Sequence, residues 1–175
     1  MKKEVLKRIF EFLETKEGHK VPFLWKLFNN IPLTKEELIV KGDLDLSQTQ
    51  ITSLPEGLKV GGTLDLIELN IETLPEGLKV GNNLVLSFSS IQTLPKGLKV
   101  GGNLNLLDTP ITFLPKGLEV GGYLDIRYTK ITSLPKGLEV GANLYIKNTA
   151  LVEYTDEELK EMVKPGFING EIIRK

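Results

Sequence analysis

The sequence predicts a single repeat solenoid with a parallel β-sheet along one face, and three observations predict it. A twenty-residue unit recurs without one insertion, a short piece of each unit alternates as a half-buried strand does, and apolar columns hold their place from the first copy to the last.

The register is set by Leu54, Leu74, Leu94, Leu114 and Leu134, each of which begins an LP-x-GL-x-VG segment. A second column runs Leu44, Leu64, Leu84, Leu104, Leu124, Leu144, and a third Leu46, Leu66, Leu86, Leu106, Ile126, Ile146. A fourth is Ile51, Ile71, Ile91, Ile111, Ile131 and Leu151. Within each unit the L-x-L piece has period 2, and Gly61-Gly62 or Gly121-Gly122 marks the bend just before it. Twenty residues hold one strand and a return too short for a full helix. Consecutive strands are therefore expected to stack in parallel through an extended or 3₁₀-like arc, coiled right-handedly. The apolar side chains of one coil supply on the order of 10–15 kcal/mol if fully buried. Ordering costs roughly 1.5 kcal/mol for each residue, so a lone coil cannot fold and stability is shared along the array.

The termini read as caps on one domain spanning residues 1–175: a helical N-terminal cap over 1–37, repeats over 38–154 and a C-terminal cap over 155–175. Val5, Leu6, Ile9, Phe12 and Leu13 recur at helical spacing, and Phe23, Leu24, Leu27 and Phe28 predict a second short helix. At the other end Thr155 and Glu158 fit a capping box opening a helix through about Val163, ended by Pro165-Gly166. Phe167-Ile168 and Ile172-Ile173 about Asn169-Gly170 predict a β-hairpin closing the sheet edge.

The segment LDLSQTQITSLP beginning at Leu44 resembles the leucine-rich-repeat signature L-x-L-x-x-N-x-L. Short units ending in LP are similar to the leucine-rich-repeat domains of bacterial effector proteins, and the LP-x-GL-x-VGG variant resembles repeat proteins encoded by bacteriophages and large viruses. The match covers about residues 38–154. Two departures stand out. Thr49, Thr109, Thr129 and Thr149, with Leu69 and Ser89, replace the ladder asparagine, so a side-chain ladder in that column would run through hydroxyls and break at Leu69. Gly81 and its equivalents occupy the place of the first leucine, which leaves a flatter β-solenoid open beside the horseshoe.

Catalysis finds little support. There is no cysteine, and the one histidine, His19, sits in the polar run KEGHK, so a Ser-His or Cys-His pair inside the repeats lacks its base. GLKVGG is not a phosphate loop. Asp45, Asp65 and Asp125 share an outward column, but Val85, Asn105 and Tyr145 interrupt it, and solvated carboxylates are expected rather than a metal site. The chain is read as a non-enzyme with no catalytic residues, no metal and no cofactor. A formal charge of -1, and lysine columns mixed with glutamate, argue against nucleic acid as the partner. Nothing in the sequence reads as a signal peptide or a membrane span, which gives a cytoplasmic expectation without membrane contact.

The outward strand positions and the turn after them vary freely among copies, whereas the stacking columns do not. Ile67, Phe88, Leu107, Tyr123, Tyr128 and Tyr145 depart from an otherwise polar set there, and Arg127 lies among them. Aromatic residues beside an arginine are the composition of interface hot spots. These seven residues are the expected partner-binding face of a protein–protein interaction module, with homodimerisation through the same face left open. The resemblance to phage-encoded repeats extends the expectation to an inhibitor of a host or defence protein. The alternative is a repeat protein that binds nucleic acid or a small molecule.

Overall fold

The computed structural model describes residues 23–29 and 31–175. The chain divides into two units, Met1–Leu38 and Ile39–Lys175. In the first, helix α1 (Phe23–Phe28) forms where the apolar spacing predicts it. Lys26 is buried there and its Nζ donates to Glu37 Oε1 at 2.9 Å. Thr34 and Glu37 satisfy each other's backbone N–H groups, a reciprocal cap on the turn that follows. The other expected helix, from Val5 to Leu13, and the loop holding His19 lie outside the described residues.

In the second unit the residues on both sides of each glycine bend pair with their neighbours. Before the bend lie β1 (Ile39–Val40), β3 (Lys59–Val60), β5 (Lys79–Val80), β7 (Lys99–Val100), β9 (Glu119–Val120) and β11 (Glu139–Val140). After it lie β2 (Leu44–Asp45), β4 (Leu64–Asp65), β6 (Leu84–Val85), β8 (Leu104–Asn105), β10 (Leu124–Asp125) and β12 (Leu144–Tyr145). With β13 (Phe167–Ile168) and β14 (Ile172–Ile173) they form two seven-stranded parallel sheets, the odd strands in sheet A and the even strands in sheet B. Register advances by one repeat, Lys59 opposite Lys79 and Leu64 opposite Leu84. This unit is a parallel β-solenoid with a period of about twenty residues.

One strand per unit, the sequence expectation, is thereby corrected to two. The physical reason is that the x-V segment also lies one coil away from its equivalent, and its backbone groups must be satisfied as fully as those of L-x-L. The apolar columns fill the space between the sheets: Leu64, Leu66, Leu104, Leu106 and Ile111 are fully buried, their equivalents are buried, and so are the columns from Leu58 to Leu138 and from Val60 to Val140.

Gly81, Gly101, Gly121 and Gly141 are demanded by proximity. A Cβ on any of them would collide with the carbonyl oxygen of the glycine one coil earlier. The column is therefore invariant from Gly61 to Gly141 and leaves a strip of bare backbone along sheet A.

The last coil departs from the expected hairpin. A 3₁₀ turn, Ala150–Glu153, leads to helix α2 (Asp156–Val163), whose Thr155–Glu158 capping box is present as predicted. The strands β13 and β14 do not pair with each other; β13 runs parallel to β11 and β14 parallel to β12. Asn169-Gly170 is not a hairpin turn but the bend of a final coil, with Asn169 N donating to Val140 O and Gly170 N to Ala142 O, both at 3.0 Å. A hairpin would have left the donor and acceptor rows of β11 and β12 bare, whereas one more coil satisfies both.

Candidate partner-binding face

The expected face is built around the turn that follows each strand of sheet B. Gln48, Glu68, Phe88, Asp108, Tyr128 and Asn148 are all left-handed, with φ between 53° and 59°. The ladder fixes them there: Phe88 N donates to Leu107 O and Tyr128 N to Lys147 O, each at 2.9 Å. A residue with a Cβ pays about 1–2 kcal/mol for this conformation, and Asn and Asp bear it best. Asp108 and Asn148 follow that preference. Phe88 and Tyr128 do not, and their side chains are 52% and 45% exposed, so neither the turn nor the core accounts for an aromatic ring at these positions.

Side chains brace the same turn from two directions. In the outward strand column, Asp45, Asp65, Asn105 and Asp125 each accept, through Oδ1, the backbone N–H two residues on, at 2.9–3.1 Å. Inside the turn, Thr49, Thr109, Thr129 and Thr149 donate Oγ1–H to the carbonyl three residues back, at 2.6–2.8 Å. The hydroxyls thus work within their own coil rather than as a ladder between coils. Leu69 fills its place in the column with buried apolar surface, and Ser89 Oγ is buried without a protein partner.

A ladder between coils does exist, in a column read from the sequence as released from packing. Asp43 Oδ1 accepts from Thr63 N at 2.6 Å, Asn83 Oδ1 from Asn103 N at 2.9 Å, and Asn103 Oδ1 from Tyr123 N at 2.9 Å. Asn143 Oδ1 accepts from Glu171 N at 3.0 Å. Most of this column is structural, because each amide or carboxylate satisfies the first N–H of the next coil at the bend.

Of the seven expected face residues, the structure brings three together. Tyr123 and Tyr145 meet edge to face with ring centroids 5.5 Å apart, and the Arg127 guanidinium lies over the Tyr145 ring at 5.4 Å. Sequence reasoning missed the centre of this cluster. Asp125 is only 2% exposed, and Arg127 grips it through Nε at 2.9 and 3.1 Å and Nη2 at 2.6 Å. Asp125 is therefore not the solvated carboxylate expected, although Arg127, two residues on in the turn, was the available signal. The hydrogen bonds to Asp125 raise the Arg127 pKa above its ordinary range, against the opposing effect of burial. A guanidinium held in this way is planar, charged and preorganised.

Tyr128 adjoins Arg127, and the other three residues are dispersed. Phe88 and Tyr128 stand two coils apart, about 10 Å, with Asp108 between them. Ile67 and Leu107 are half-buried and flank the buried Ser87 in the next column. Phe113, 52% exposed on the return arc, was not singled out, though its column otherwise holds Ser53, Thr73, Thr93 and Ser133. Among the described residues no group of three or more His, Cys, Asp or Glu could hold a metal ion, and no helix is long and apolar enough to cross a membrane.

No protein-family model, curated protein or solved structure matches this chain.

Proposed function

We propose that this chain is a non-catalytic protein-binding module of leucine-rich-repeat type, which grips a protein partner with the outward face of sheet B. The observation that supports this reading best is the pair of exposed aromatic residues, Phe88 and Tyr128, held in a left-handed turn that disfavours them. Beside Tyr128, the Tyr123–Tyr145–Arg127 stack is ordered before any partner arrives. Binding then costs little side-chain entropy, which is how rigid aromatic and arginine anchors become hot spots. From the resemblance to phage-encoded repeats alone, we extend the proposal to an inhibitor that covers the surface of a host or defence protein in the cytoplasm.

The test is affinity capture from host lysate with quantitative mass spectrometry, comparing the wild type with Phe88→Asp/Tyr128→Asp. Both side chains are exposed, so folding is retained, and the captured partner is expected to bind at least ~2 kcal/mol more weakly, the hot-spot threshold. Reversing Lys96 and Lys116 is the matched control. Arg127 is left intact because its removal would strand the buried Asp125. Binding that survives the aromatic pair, falls with the lysine pair and weakens steeply with salt would refute the proposal in favour of a polyanion.

A further inference from the structure

Sheet A presents one outward column that crosses all seven strands: Ile39, then Lys59, Lys79 and Lys99, then Glu119 and Glu139, and finally Phe167. The order is apolar, three positive, two negative, apolar. The ends are large apolar side chains left in the open, Ile39 at 51% and Phe167 at 41% exposure. Alongside runs the bare glycine column, and the result is a shallow trough. One stretch, of about 610 Å³, runs from Ile39 to Gly101 and a second, of about 320 Å³, from Lys99 to Asn169. Within the column, the ion pair that forms is Lys99 Nζ to Glu119 Oε1 at 2.6 Å. Lys59, Lys79 and Glu139 have no ion-pair partner among the described residues.

We propose that this face binds a second copy of the chain, antiparallel, about a two-fold axis at the level of Lys99. A two-fold interface must be complementary to itself: the first position meets the seventh, the second the sixth and the third the fifth. Ile39 then lies on Phe167 of the other copy, Lys59 meets Glu139, and Lys79 meets Glu119. Lys99 alone meets its own kind, and it is already neutralised by Glu119 of its own chain. Few other orders of the same seven residues would set apolar on apolar and every off-axis charge on its opposite. Under the same two-fold the glycine column lies over the partner's glycine column, so it adds no side chains that would hold the sheets beyond the ~10 Å of ordinary packing. This contact uses sheet A and is independent of the binding proposed for sheet B.

The column is roughly 29 Å long, six ladder spacings. A strip one trough wide falls short of the ~800 Å² per partner of a standard interface. The dimer is therefore weak, concentration-dependent and weakened by salt, because the pairs that orient it are exposed.

Sedimentation equilibrium of the full chain at low salt tests this. The wild type is expected to shift from monomer to dimer with rising concentration. Lys59→Glu/Lys79→Glu and Glu119→Lys/Glu139→Lys, each alone, should dimerise at least tenfold more weakly, because all four cross-axis pairs become repulsive. Mixed in equal amounts, they should form a heterodimer, since all four cross-axis pairs are then attractive. A chain carrying all four reversals together with Lys99→Glu, which keeps the residue on the axis beside an opposite charge, should pair with itself and reject the wild type, and circular dichroism confirms that each variant is folded. A wild type that stays monomeric at millimolar concentration overturns the proposal, whether the trough is empty or occupied by the chain's own N-terminal residues. A dimer indifferent to both reversals, or a mixture that does not associate, overturns it equally.

Discussion

Replacing Gly101 with alanine should be among the most damaging small changes available to this protein, and Gly42→Ala among the mildest. At Gly101 the added Cβ would collide with the Gly81 carbonyl oxygen and sit 2.9 Å from its carbon, both backbone atoms that cannot rotate aside. Relief requires the two coils to part, but they are tied by Gly101 N to Val80 O at 3.0 Å and Gly102 N to Asn82 O at 2.8 Å. Losing two hydrogen bonds at about 1 kcal/mol each, with about 1–3 kcal/mol for overpacking, gives a cost of about 3–5 kcal/mol. Against the modest net stability of any domain this is a large share. Gly42 has nothing within 4 Å of a built Cβ, so the same substitution should be neutral or stabilise by up to about 1 kcal/mol through the unfolded chain. Equilibrium urea unfolding followed by far-ultraviolet circular dichroism measures both. A loss below about 1 kcal/mol at Gly101, or equal effects at the two sites, would refute the claim that coil spacing is set by backbone against backbone.

Leu104→Ala should cost about 2–5 kcal/mol in the same assay, because the side chain is fully buried and its coil is packed on both sides. Asn103→Ala removes the acceptor of Tyr123 N–H and should cost about 0.5–1.5 kcal/mol. Asn103→Asp should recover most of that loss, since Asp43 fills the same role in the first coil; equal losses would argue against the ladder. Ser89→Ala deletes a buried hydroxyl without a protein partner and should leave stability unchanged or raise it by up to about 1 kcal/mol. A clear decrease would mean the hydroxyl has a bond worth keeping.

The coil and its core were legible in the sequence because packing repeats where chemistry repeats: the Leu104, Leu106, Ile111 and Leu114 columns are buried as their constancy predicts. Sheet A was written in the same way and was missed: Leu58-x-Val60 repeats in every coil the inward–outward–inward alternation of Leu64-x-Leu66, but a twenty-residue unit reads as one strand and its return. The last coil was hidden by its spacing. Phe167 pairs with Glu139 across the eight-residue helix α2, which breaks the twenty-residue register just where the copy is faintest. The candidate face was legible in composition but not in mechanism. Variation among copies reads as freedom from packing, yet Asp43 alternates with Asn83, Asn103 and Asn143 because either side chain can accept the same N–H. The left-handed turn gave little warning either, for Asp108 and Asn148 are of the types that would announce it but Gln48, Glu68, Phe88 and Tyr128 are not.

Helix α2 shows which part of a coil is not measured by its neighbours. It enters between the Leu151 column and the Pro165-Gly166 pair, and the strands beyond it still fall into register, with Glu171 N reaching Asn143 Oδ1 from 28 residues away. Both ladders count residues strictly; the arc between them does not. The entropic cost of a longer arc grows only with the logarithm of its length, so the same corner of every other coil is a port for foreign sequence. A lineage carrying this fold could acquire a new loop, peptide or small domain there, one coil at a time, without rewriting a single residue of either sheet.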